Sequence, residues 1–179
     1  MVIDVLLPDG MEQIEVADEE LFSFPQGIVG FEEYGRYALL ELEPPLYLLQ
    51  AVDDPHVGFV LIDPSLVYRH YRAPLAAGDR QLLQLTRSER PNIFCIVTMS
   101  AEGENPTINL KAPVAINARK RLGAQVILQD MSYPVRHPIP LTAEGALDLQ
   151  QMEAATSRSE SQSRNGTGDR RSEAARCSS

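Results

Sequence analysis

The chain has 179 residues, with 16 Lys and Arg against 25 Asp and Glu and a formal net charge of −9. That length suits one domain with a sizeable core and is short for two. The acidic balance argues against direct nucleic-acid binding, which draws its affinity from basic groups that displace counterions from phosphate. No charged-then-apolar leader opens the chain and no apolar stretch approaches the ~18 residues of a membrane span, so the expectation is a cytoplasmic protein with no membrane partner. Two cysteines, Cys95 in an apolar run and Cys177 in a polar tail, predict no structural disulfide. The charge is unevenly spread: residues 1 to 63 carry fourteen acids and a single base, Arg36, whereas residues 64 to 150 carry seven acids and ten bases. An acidic face suited to a basic partner is therefore expected on the N-terminal third.

In chain order, Val2 to Leu7 and Glu12 to Val16 flank the turn residues Pro8-Asp9-Gly10 and predict an opening hairpin. The run Phe22-Ser23-Phe24-Pro25-Gln26-Gly27-Ile28-Val29-Gly30-Phe31-Glu32 follows. Pro25 fixes an extended φ while Gly27 and Gly30 permit positive φ, so three aromatic rings are predicted on a tightly turning loop. Ala38 to Leu42, Tyr47 to Val52 and Val57 to Ile62 are short apolar runs separated by Pro44-Pro45 and Asp53-Asp54-Pro55. Turn signals at this spacing predict an all-β fold, a small antiparallel barrel or sandwich-like domain. One short helix is predicted with Asp79 as its cap and Leu82, Leu83 and Leu85 on its apolar side. Ile93 to Met99 reads as a core strand that buries Cys95 as a small hydrophobe.

Asn109 to Asn117 and Gly123 to Leu128 read as strand, bend, strand, with Pro113 at a strand start and Gly123 at the turn. From Gln150 to Ser179 there is no Val, Ile, Leu, Phe or Tyr. Residues 1–149 are thus expected to form the folded unit and 150–179 a disordered tail.

Signals for chemistry are weak. His56, His70 and His137 have no metal-ligand spacing with each other or with the cysteines, and no nucleophile elbow, P-loop or dinucleotide fingerprint occurs. Adjacent acids such as Glu32-Glu33 and Asp53-Asp54 would point to opposite faces of a strand, a poor arrangement for a shared acid and base. Neither an enzyme nor a cofactor or metal site is indicated. The basic cluster Arg119-Lys120-Arg121 lacks aromatic interleaving and reads as a solvated turn.

Together the two runs at 22–32 and 109–128 resemble the FliW family of flagellar assembly factors. Further matches are Leu48-Leu49-Gln50 before an acidic loop, Phe59 to Pro64, and Tyr133-Pro134-Val135-Arg136-His137-Pro138. The resemblance runs in order over about residues 1 to 140, although the family usually has Pro where Val29 stands and Ser where Ala51 stands. It implies a β-barrel-like protein that binds flagellin and the RNA-binding translational regulator CsrA, and so relieves repression of flagellin synthesis until flagellin takes it away. For a basic regulator, the expected contacts are Glu32, Glu33, Asp53 and Asp54. Phe24, Ile28 and Phe31 are expected to offer an apolar surface to flagellin. The alternative is a small-molecule-binding β-barrel, which a deep apolar cavity would mark and a filled core would not.

Overall fold

Apolar runs too continuous for a half-buried strand, such as Leu-Tyr-Leu-Leu-Gln-Ala and Asn-Ile-Phe-Cys-Ile-Val-Thr, require cover on both faces of the sheet they join. The computed structural model describes residues 1–99, 105–130, 132–141 and 148 and provides that cover. The expected tail lies outside these residues. The strands are β1 (Val2–Leu7), β2 (Gly10–Glu15), β3 (Phe22–Ser23), β4 (Arg36–Glu41), β5 (Leu46–Ala51), β6 (Gly58–Ile62), β7 (Asn92–Thr98), β8 (Thr107–Ile108), β9 (Val114–Asn117), β10 (Leu122–Gln125) and β11 (His137–Pro138). In the main sheet β7, β6, β5, β4, β3, β10 and β9 are neighbours in that order, and β9 returns to pair with β7. Seven strands thus close into a barrel, with β8 and β11 extending from the other half of β7. All pairings are antiparallel except that of β3 with β10, where Leu122 lies beside Ser23 in parallel register.

Period-2 alternation divides the strand residues among three cores. Inward-facing Phe22, Tyr37, Leu49, Leu61, Phe94, Val114 and Ile116 fill the barrel together with Phe24 and Ile28. The next residues along β4 and β5, Ala38 and Leu48, face outward and are covered by Ile3 and Val5 of the β1–β2 hairpin. Ile62, Cys95, Ala115 and Ala124 also face outward, under Val67, Tyr71, Leu83 and Ile139. Cys95 is fully buried, and burial pushes its thiol up to about 12.

Two local expectations need correction. The helix α1 (Ala77–Leu82) begins before Asp79, which is not its cap. Asp79 sits in the first turn, where its Oδ2 accepts the Ala76 N–H at 3.1 Å, and Leu83 just beyond the helix is fully buried. Gly123 is not at the turn. The chain turns over 118–121, with Arg121 at φ +52, and Gly123 lies within β10. A Cβ there would meet the Phe24 ring at 2.1 Å, so the missing side chain is what lets the ring lie flat on the strand.

Candidate partner-binding surface

The loop from Phe24 to Glu32 is shaped by close backbone approach. Gly27 has φ +65 and a Cβ on it would come within 2.5 Å of the Glu32 Cα, so the loop folds back over a position only glycine can fill. The Phe31 N–H donates to the Ile28 carbonyl at 2.7 Å, closing a turn that sends neighbouring side chains opposite ways. Ile28 is buried, whereas Val29 is mostly exposed. Gln125 fixes the loop from across the barrel wall. Its Oε1 accepts the Val29 N–H at 2.9 Å and its Nε2 donates to the Ala112 carbonyl at 3.2 Å.

Of the three residues expected to form an apolar surface, only Phe31 reaches it. Phe24 and Ile28 are each 1% exposed and belong to the barrel core, Phe24 with its ring edge-to-face on Tyr37 at 4.9 Å. The physical reason is the Gly123 slot, which draws the Phe24 ring inward. Phe31 remains partly exposed, with its ring edge-to-face on Phe59 at 5.1 Å.

The exposed apolar surface lies beside this loop. An open groove of about 780 Å³ is lined by Val29 and Phe59 and by Met99, Ile127 and Val135 from three other segments. Val29, Met99, Ile127 and Val135 are each more than half exposed. Isolated exposed apolar residues are ordinary, but four around one groove mark an interaction site. Among the described residues, the charged side chains of its lining are Lys111 and Arg136. Sequence reasoning missed this surface because its members come from four separate segments with no shared periodicity. The available signal was bulky apolar residues at turns and strand ends, where no core needs them.

The acids take their places in a second cluster, next to Phe31. Asp54 Oδ1 accepts the His56 N–H at 2.9 Å and Oδ2 accepts the Tyr34 hydroxyl at 3.0 Å, and these bonds hold its carboxyl below the usual range. The same bond, with burial and the nearby charges of Asp54 and Glu33, pushes the Tyr34 phenol up. Glu32 Oε1 accepts the Gly30 N–H at 2.8 Å, which lowers its pKa. Asp53 pairs with Arg36 at 2.8 Å, both about half exposed. Buried Gln50 anchors the acidic loop from beneath, with Nε2 donating to the carbonyls of Asp54 at 2.9 Å and Val57 at 3.0 Å. Tyr34 therefore links Glu33 and Asp54 on one side of the barrel, while Asp53 is turned toward Arg36.

Among the described residues no helix is long and apolar enough to cross a membrane. The family model described as FliW protein matches residues 9–139. A flagellar assembly factor FliW from Geobacillus kaustophilus is 40% identical over 125 residues, which cover 69% of this chain and 87% of the relative. One from Carboxydothermus hydrogenoformans is 35% identical over 144 residues, 79% of this chain and 93% of the relative. A crystal structure of the flagellar assembly factor FliW superposes with a TM-score of 0.70 at 36% identity, covering 77% of this chain and 96% of that one. With the filled barrel, the glycine-shaped loop and these matches over most of its length, the chain belongs to the FliW family of flagellar assembly factors.

Proposed function

We propose that this protein is a cytoplasmic binding switch, with no chemistry of its own, that takes flagellin at the apolar groove and the basic regulator CsrA at the acidic cluster. While flagellin is scarce the protein engages CsrA and relieves repression of flagellin synthesis; as subunits accumulate they draw it away. The observation that carries the reading is the groove itself, where Val29, Met99, Ile127 and Val135 stand exposed together, while outward-facing apolar residues such as Ala38, Leu48, Ile62 and Cys95 are covered. Glu33 and Asp54 around Tyr34 supply a potential complementary to a basic partner. The barrel interior is filled by Phe22, Phe24, Tyr37 and Phe94 among others, which favours a partner surface over a chamber for a small molecule.

The test is titration calorimetry with purified flagellin and Val29→Asp. Val29 is exposed, so the substitution leaves the fold intact, and an aliphatic anchor lost from the centre of a contact weakens flagellin at least about tenfold. CsrA affinity is expected to stay within twofold. Unchanged flagellin affinity removes the groove from the flagellin contact.

A further inference from the structure

One seam of the barrel wall is only half sewn. Strands β6 and β7 pair at Leu61–Ile96 and Ile62–Cys95, and the ladder stops there. The same register would set Val60 opposite Val97, Phe59 opposite Thr98 and Gly58 opposite Met99. All six of these residues line the groove instead. Consecutive residues of a strand point to opposite faces, so a cavity that touches Gly58, Phe59 and Val60 in succession runs along the strand edge. On its other side this stretch pairs with β5, Gly58 with Gln50, Phe59 with Leu49 and Val60 with Leu48.

Which backbone groups face the groove follows from alternation. The Val57 carbonyl accepts the Ala51 N–H at 2.8 Å, so Val57 points to β5, and with it Phe59. Gly58 and Val60 then turn their N–H and C=O groups the other way, into the groove. Across from them, the Ile96 carbonyl accepts the Asn109 N–H at 3.0 Å, which turns Ile96 and Thr98 toward β8 and leaves Val97 directed at the same space.

We infer that the groove takes its partner as an added strand: an extended segment, apolar at alternate positions and carrying an acidic side chain, that hydrogen-bonds to the edge of β6 at Gly58 and Val60. The inference rests on the reading of this groove as the flagellin site, and names the form in which flagellin is taken. Size fits: four extended residues, about 13 Å long in a slot about 4.8 by 10 Å, need roughly 600 Å³, against a groove of about 780 Å³. Val29, Met99, Ile127 and Val135 supply apolar contacts for alternate side chains, while Arg136, exposed in the lining, favours an acidic segment over a basic one. Main-chain bonds give such a contact its affinity, and the side-chain contacts its specificity.

The experiment is amide hydrogen exchange followed by NMR on the full chain, alone and with purified flagellin, alongside calorimetry of the same pair. Strand addition slows exchange at Gly58 and Val60 at least about tenfold and leaves Phe59, already bonded to β5, unchanged. Arg136→Glu is expected to weaken binding about two- to fivefold, in keeping with an exposed charge at the rim of a contact. Binding without protection at Gly58 and Val60 overturns strand addition and leaves the groove reading standing. Absence of calorimetric binding overturns the flagellin reading and the inference with it.

Discussion

Replacing Gly123 by Ala puts a methyl group where the Phe24 ring now lies. The new Cβ would stand 2.1, 2.3 and 2.6 Å from three ring carbons, against the 3.4–4 Å of ordinary contact. The ring has little room to withdraw, because Phe24 is 1% exposed and sits on Tyr37 inside the barrel. Overpacking a closed core costs about 1–3 kcal/mol, and an enclosed ring with three such contacts places this variant at the upper end. At about 3 kcal/mol the melting temperature falls by roughly 6–12 °C for a domain of this size. The damage also travels along the loop: a displaced Phe24 moves the turn that carries Val29, so on the proposed reading flagellin affinity declines with stability. Urea denaturation of Gly123→Ala, Phe24→Leu and the double variant provides the check. A smaller side chain without a ring relieves the clash, so the double variant is expected to lose at least about 1 kcal/mol less than the two single losses together. A Gly123→Ala protein within about 0.5 kcal/mol of the parent, or strict additivity in the cycle, refutes the close ring-on-glycine contact.

Tyr37 buries its hydroxyl without a hydrogen-bond partner among the described residues, and burial pushes the phenol up to about 12. Tyr37→Phe is therefore expected to raise stability by about 1 kcal/mol; a loss of that size in thermal denaturation would mean that the hydroxyl is bonded. Neutralising Asp53 and Asp54 together to Asn is expected to slow CsrA association roughly three- to tenfold at low salt and to flatten its salt dependence, since exposed charges are screened within about 8 Å at physiological ionic strength. Flagellin affinity should hold. Stopped-flow association across a salt series reads the first effect and calorimetry the second, and an equal loss for both partners refutes the division into two surfaces.

Much of the barrel was legible. The runs at 38–42, 47–52, 57–62 and 93–99 became β4 to β7 within about two residues at each end, because apolar β-formers bounded by proline and acidic turns have few other uses. The three short strands β3, β8 and β11 were not legible: a two-residue strand carries no period, and its pairing is fixed by residues far away. Gly123 was misplaced for a related reason. A glycine between two β-prone runs reads as a turn, and only the ring of Phe24, 99 positions earlier, shows that it is a packing surface. The same contact explains why Phe24 and Ile28 are interior while Val29, between Ile28 and Gly30, is not. Of the acidic cluster, the residue types were visible in the sequence, but not the way Tyr34, Arg36 and Gln50 hold them.

A ring with an odd number of strands cannot alternate up and down all the way round; somewhere two neighbours must run the same way. Here the mismatch falls between β3 and β10, and strands that run the same way cannot be joined by a tight turn. The meander from β4 to β6 can form from local sequence as the chain emerges, but the ring stays open until Leu122 arrives beside Ser23, 99 residues later. Ala112, Gln125 and Ile127, which complete the groove, belong to that same late portion. A growing chain thus has no partial version of the groove to offer, and on the proposed reading a message cut short before residue 125 yields a product that cannot compete for flagellin.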